Sequence, residues 1–173
     1  MPSIRASTPA DIPAITQIYA HHVLHGTGSF ETEAPDTAEI SRRRDEVLSR
    51  HLPYLVAEDT GQIVGYAYAN WFKARPAYRF SAEDSIYVAD GQQGKGLGHL
   101  LMQALIDACE QAGVRKLIAV IGDSGNHGSI GVHTAAGFVH VGTMQSVGWK
   151  FGRWLDIVMM EKTLGAGDST PPA

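Results

Sequence analysis

Tyr87-Val88-Ala89-Asp90-Gly91-Gln92-Gln93-Gly94-Lys95-Gly96-Leu97-Gly98 is the stretch on which the reading of this chain turns. Phe80–Val88, leading into it, reads as a strand that ends in Ser85-Ile86-Tyr87-Val88. Leu97–Ala112, leading out of it, sets Leu101, Leu105, Ala108 and Ala112 on one helical stripe, with Gly113 at the C-cap position. Lys116–Ile121 follows as a continuous apolar strand. Strand, helix and strand in that order predict a parallel or mixed sheet covered by helices. A glycine-dense turn leaves backbone N–H groups pointing outward, and the helix behind it adds the positive end of its dipole. Together they make a cradle for a phosphate or pyrophosphate. Two common phosphate loops are excluded. Gly94-x-Gly96-x-Gly98 lacks the dinucleotide spacing, and Lys95 is not followed by the Ser or Thr of a triphosphate loop.

Toward the N-terminus, Ser3–Ser7 alternates as a short strand. Thr8-Pro9-Ala10-Asp11 then opens a helix with Thr8 as cap, and Ile12, Ile15, Ile18 and Tyr19 carry its apolar stripe to about residue 22. His25–Ser29 is a loop leading into Phe30-Glu31-Thr32, and Asp36 caps a polar helix to about Arg50. Tyr54–Glu58 and Ile63–Trp71 read as a hairpin, and Arg75-Pro76-Ala77-Tyr78 as a loop before the central strand. Past residue 121 come a loop, a short helix Ser129–Ala136, and two strands, Phe138–Gly148 and Trp154–Lys162. The expected architecture is one α/β domain over residues 1–164, with about six or seven strands and about four helices. Residues 165–173 are expected to form a disordered tail.

The 173 residues are 44% apolar and carry a net charge of -4, which excludes a disordered chain. No basic face marks a nucleic-acid binder; Arg42-Arg43-Arg44 is followed at once by Asp45-Glu46 and reads as a solvated helix face. The single cysteine, Cys109, forms no internal disulfide and reads as buried packing. With no signal-type segment and no long apolar run, a cytoplasmic protein without a membrane partner is expected. His21, His22 and His25 lack a supporting carboxylate and cysteine set, so no metal site is expected.

Gln93-Gly94-Lys95-Gly96-Leu97-Gly98 resembles the acyl-CoA signature Arg/Gln-x-x-Gly-x-Gly/Ala of the GNAT superfamily of N-acyltransferases. Asn126-His127-Gly128-Ser129 and His133-Thr134-Ala135-Ala136-Gly137-Phe138 resemble its second motif, and the order of elements is similar over about residues 3–163. Phe30-Glu31-Thr32, Trp71 through Arg79, Glu83 through Val88 and Gly148 through Asp156 are similar to the phosphinothricin and methionine sulfoximine acetyltransferase branch. Asp90 and Gln93 stand where that branch often has Pro and Arg. The resemblance implies a GNAT-like, mostly antiparallel mixed sheet, acetyl-CoA as co-substrate, a small amino-acid-like amine as acceptor, and a homodimer.

Acetyl transfer to an amine needs a base, a donor for the carbonyl oxygen and a place for the departing thiolate. By resemblance Glu83 is the base and the Val88 N–H the oxygen's donor. His133 either hydrogen-bonds the thiolate or only packs against the cofactor. Tyr87, Val88, Gln93, Gly94, Lys95, Gly96, Leu97 and Gly98 are the expected cofactor contacts, with Asn126 and Ser129, which serve equally well as helix caps. Phe30, Trp71, Arg75, Tyr78 and Glu83 are the expected substrate contacts, Arg75 offering a fork to a carboxylate. Two alternatives remain: the same fold acting on a polyamine or protein N-terminus, and a non-catalytic acyl-CoA-binding module.

Overall fold

The computed structural model describes residues 1–173. Seven strands are present: β1 (Ser3–Ala6), β2 (Tyr54–Asp59), β3 (Gln62–Trp71), β4 (Ser81–Val88), β5 (Lys116–Gly122), β6 (Val139–Lys150) and β7 (Arg153–Thr163). They form one sheet in the order β1-β2-β3-β4-β5-β7-β6. Only β4 and β5 run parallel. The helices are α1 (Ile12–His25), α2 (Thr37–Ser49), α3 (Leu97–Gln111) and α4 (His127–Ala135). This is the mixed, mostly antiparallel sheet flanked by four helices that the sequence implies.

Strand register decides which side chains share a face. β3 and β4 pair Tyr66 with Tyr87, Tyr68 with Ser85 and Asn70 with Glu83. Paired residues lie on one side of the sheet. Glu83 and Tyr87 therefore share a face with Tyr66 and Tyr68, and Tyr19 of α1 meets Tyr87 edge-on at 5.1 Å. Alternation sends Ala82, Asp84, Ile86 and Val88 to the opposite face. There α3 packs so closely that a Cβ on Gly65, the partner of Val88, would meet Leu97 and Leu101. α3 buries Leu97, Leu101, Met102, Leu105, Ile106 and Cys109; the expected stripe holds at Leu101 and Leu105, then runs through Ile106 and Cys109, while Ala108 is half-buried and Ala112 is exposed.

Local boundaries follow from caps. Asp36 accepts from the Glu39 N–H at 2.9 Å and starts α2. Asn126 accepts from the Ser129 N–H at 3.2 Å, so α4 begins at His127, two residues before the predicted start. Phe151 and Gly152, with φ of 52° and 70°, make the tight turn that joins β6 to β7. Arg44 departs from the expected solvated basic run. It is only 7% exposed and donates to Ser7 Oγ at 2.8 Å and Ser7 O at 2.7 Å, tying α2 to the chain after β1. After Leu164 the chain makes turns, and Arg115 donates to Gly167 O at 2.9 Å.

One feature of the sheet positions the site. β4 and β5 pair only from Ser81–Glu83 to Lys116–Ile118. Beyond Glu83 they part, while β5 stays bonded to β7 along its whole length. A wedge is left in the middle of the sheet, open toward the glycine-rich turn.

Candidate active site

A cavity of about 1160 Å³ fills the wedge and reaches both faces of the sheet. On one face it is bounded by Gly94, Gly96, Gly98, Asn126, Ser129 and His133, and on the other by Tyr19, Phe30, Tyr68 and Glu83. Tyr87, Val88, Gln93 and Leu97 also line it.

The glycine-rich turn supplies an open helix end. Gly96 has φ of 80° and stands at the N-cap of α3, where no side chain satisfies the first-turn N–H groups. A Cβ on Gly98 would lie 3.1 Å from Val132, so α3 and α4 approach closely over the cradle. Lys95 turns away from the cavity wall, and its Nζ donates to Gln92 Oε1 at 3.1 Å. Asn126 has the capping role described above, and it lines the cavity as well.

The edge of β4 supplies unpaired backbone. The Phe72 N–H donates to Ser81 O at 3.1 Å and the Ala89 N–H to Val64 O at 2.9 Å. Odd-numbered residues of β4 thus spend their backbone groups on β3, and Ile86 and Val88 turn theirs into the wedge, where no strand pairs with them. His22 Nε2 donates to Val88 O at 2.8 Å, which fixes that peptide and leaves the Val88 N–H open. A helix end open to a pyrophosphate and a strand edge open to amides fit acetyl-CoA, which carries both groups.

Four carboxylates line the cavity: Glu31, Glu83, Asp84 and Asp123. Three have partners. Glu31 holds Arg43 at 2.7 Å and accepts from the Tyr19 hydroxyl. Asp84 meets His133 Nε2 at 2.7 Å. Asp123 accepts from Thr27 Oγ1 at 3.0 Å and pairs with Arg153 at 3.2 Å. Glu83 has neither a hydrogen bond nor an ion pair. Burial, and then the charge of Asp84, raise its pKa above the ordinary glutamate value, against the opposing pull of Lys73.

His133 is buried, with its ring edge-on to Phe138 at 4.9 Å. Its Nδ1 lies 2.7 Å from Ser129 O and its Nε2 2.7 Å from Asp84 Oδ2. Both ring nitrogens are occupied, which favours the packing role over a proton delivered to the thiolate.

The loop from Gly26 to Glu31 closes the Glu83 face. Lys150 is buried and donates to Gly26 O at 2.9 Å and Ser29 O at 2.7 Å. Phe30 rests on Gly122 and Gly148, where a Cβ on either glycine would overlap its ring. Three expected substrate contacts lie elsewhere. Trp71 ends β3 with the Arg50 guanidinium 4.8 Å over its ring. Arg75 and Tyr78 sit on a 3-10 turn, Pro76–Tyr78, that leaves the sheet before β4, and Tyr78 is exposed against Phe72. None of the three lines the cavity of the chain. Sequence reasoning missed Asp84, His22 and Lys150. The one available signal was Asp84, a carboxylate in the apolar register of β4.

An open strand edge beside an open helix end is what an acyl-CoA-dependent transferase requires, and the protein is of that class. The Acetyltransferase (GNAT) family model matches residues 15–138, and the chain belongs to that family. A phosphinothricin N-acetyltransferase of Alcaligenes faecalis is 52% identical over 98% of this chain and 86% of its own. An L-methionine sulfoximine/L-methionine sulfone acetyltransferase of Pseudomonas aeruginosa is 41% identical, over 98% of each chain. The crystal structure of a phosphinothricin acetyltransferase from Sinorhizobium meliloti in complex with acetyl-CoA superposes with a TM-score of 0.96 at 41% identity, covering 99% of this chain and 93% of that one. The protein is an acetyl-CoA-dependent N-acetyltransferase for a small amine.

Proposed function

We propose that the acceptor is a small amino-acid-like amine of the phosphinothricin, methionine sulfoximine or methionine sulfone type, and that Glu83 is the general base. The observation that carries this is the solitary state of Glu83, the one cavity carboxylate without a partner. The activities of the relatives support the acceptor class.

An amino acid arrives as an ammonium ion, and its nitrogen attacks only after losing a proton. Glu83, with its pKa raised by burial, is suited to take that proton near working pH. Bound acetyl-CoA supplies the acetyl thioester. The Val88 N–H, facing the wedge, stabilises the carbonyl oxygen as negative charge develops. Phe30, Tyr19 and Tyr68 wall the acceptor on this face. The acceptor's carboxylate is met by Lys73, on the loop after β3, whose charge already acts on Glu83.

The protein works as a homodimer. The edge strand β6 and neighbouring β7 leave Val139, Val141, Met144, Val147, Trp149 and Trp154 exposed, an apolar strip suited to a second copy.

A polyamine is the second reading, favoured by one observation: no Lys or Arg lines the cavity itself. A thiol-release assay with acetyl-CoA separates the two. Turnover of methionine sulfone, methionine sulfoximine or phosphinothricin, with none of spermidine, supports the proposal. Turnover of spermidine alone overturns it.

A further inference from the structure

Asp84 and His133 stand back to back with Glu83. Asp84 is the next residue along β4, so its side chain enters the opposite face of the sheet. Its side chain is only 1% exposed, and that of His133 6%. Asp84 Oδ2 lies 2.7 Å from His133 Nε2, while Oδ1 is buried with no hydrogen-bond partner at all. His133 Nδ1 lies 2.7 Å from Ser129 O, a carbonyl that can only accept.

Those contacts settle the proton count. Nδ1 must carry a proton, because Ser129 O has none to give. Nε2 faces a carboxylate, so a second proton must lie between Nε2 and Oδ2. Placed on nitrogen, it makes an imidazolium beside a carboxylate. Placed on oxygen, it makes a neutral imidazole beside a carboxylic acid. Either way the pair is neutral as a whole.

We propose that Asp84 and His133 share this proton as a net-neutral buried pair with the proton on His133 Nε2, so that Asp84 keeps a negative charge one residue along the strand from Glu83, and that Asp84 is thereby a positioning residue that sets the charge felt by Glu83 through the strand. The inference rests on the reading of Glu83 as the base. The other groups facing these residues are few. Cys109 of α3 faces Asp84, its thiol pushed up to about 12 by burial first and by Asp84 second. β5 offers Leu117 and Ala119 on that side, neither of which titrates. On the other face Glu83 meets Lys73, Tyr68 and Tyr87. Burial disfavours the charged imidazole of His133, yet the hydrogen bond and charge of Asp84 outweigh it and hold the ring above its ordinary pKa.

The test compares the acidic limb of kcat/KM in wild type, Asp84→Asn, His133→Gln and Glu83→Gln. Asp84→Asn removes the charge nearest Glu83, so the limb moves to lower pH, by about one unit. His133→Gln takes the cation from a carboxylate that is almost fully buried, so Asp84 becomes neutral and the limb again moves to lower pH. Shifts in the same direction are expected from both variants, and a merely structural loss would lower activity without them. Limbs that stay at the wild-type position in both variants overturn the inference. If Glu83→Gln retains full turnover, the base assignment fails instead, and the two failures are distinguishable. A second measurement needs no stable variant at Asp84: nitrogen-15 spectra of the wild-type histidines, with His133 assigned by its absence in His133→Gln. No ring titration of His133 is expected through neutral pH; a ring that titrates near its ordinary value of about 6.5 overturns the shared proton.

Discussion

Replacing Lys150 by methionine keeps a long unbranched side chain and removes the ammonium. In the wild type that ammonium donates to two loop carbonyls, Gly26 O at 2.9 Å and Ser29 O at 2.7 Å, in a residue 5% exposed. A hydrogen bond to a charged group contributes about 1.5–3 kcal/mol, and each carbonyl left dry adds its own desolvation cost. Burial already lowers the pKa of Lys150, so part of the gain is offset by the cost of hiding the charge. The net loss expected is about 2–4 kcal/mol, read by urea unfolding followed through tryptophan fluorescence. The kinetic effect is selective. The freed loop carries Phe30 off Gly122 and Gly148, so KM for the amine rises roughly tenfold, while KM for acetyl-CoA moves less than about twofold, because the Gly94–Gly98 cradle bounds the cavity on the other face of the sheet. Stability within about 0.5 kcal/mol of wild type together with an unchanged amine KM would refute the reasoning.

Other substitutions probe the rest of the structure. Glu83→Gln should cut kcat by about 10²–10⁴ with acetyl-CoA affinity kept, measured by thiol release and calorimetry, and an equal loss in both would mark Glu83 as structural. In the wild type the acidic limb of kcat/KM should lie above the ordinary glutamate value of 4.5, because the raised pKa protonates the base as pH falls through it. Gly96→Val forces a branched side chain to a φ of 80° and should raise KM for acetyl-CoA at least about tenfold, sparing the amine KM. Asp11, whose pKa the Arg5 hydrogen bond lowers to about 2 from 3.8, contributes stability that is present above pH 3.8 and lost as pH falls toward 2. Asp11→Asn should therefore be less stable by roughly 1–2 kcal/mol at neutral pH, with the difference vanishing in acid denaturation below that range. Trp149→Glu should turn a dimer into a monomer in sedimentation; a wild-type monomer removes the basis for that prediction.

What the sequence disclosed was local or periodic. The glycine-rich turn and the β2–β3 hairpin rest on neighbouring residues and stand where they were expected; the stripe of α3 holds at Leu101 and Leu105 but not at Ala112, which is exposed past the helix end. The insertion of β7 between β5 and β6 was not legible, because strand order depends on contacts far apart in the chain. The site divides in the same way. Glu83 and the cradle follow from one strand–turn–helix segment. The pairing of Asp84 with His133 spans 49 residues, and that of Lys150 with Gly26 spans 124. Arg44 looked solvated because its neighbours in sequence are charged, although its partner is Ser7. Trp71, Arg75 and Tyr78 were placed by similarity to a family motif, and the turn at Pro76–Tyr78 carries the last two outward.

The parting of β4 from β5 has a kinetic consequence. A slot cut through the sheet has two mouths, so two molecules can meet tip to tip without either passing the other. Neither reactant needs to vacate its berth before the second one docks, and each product has a separate exit. A single compound that joins both halves end to end would plug the slot from side to side.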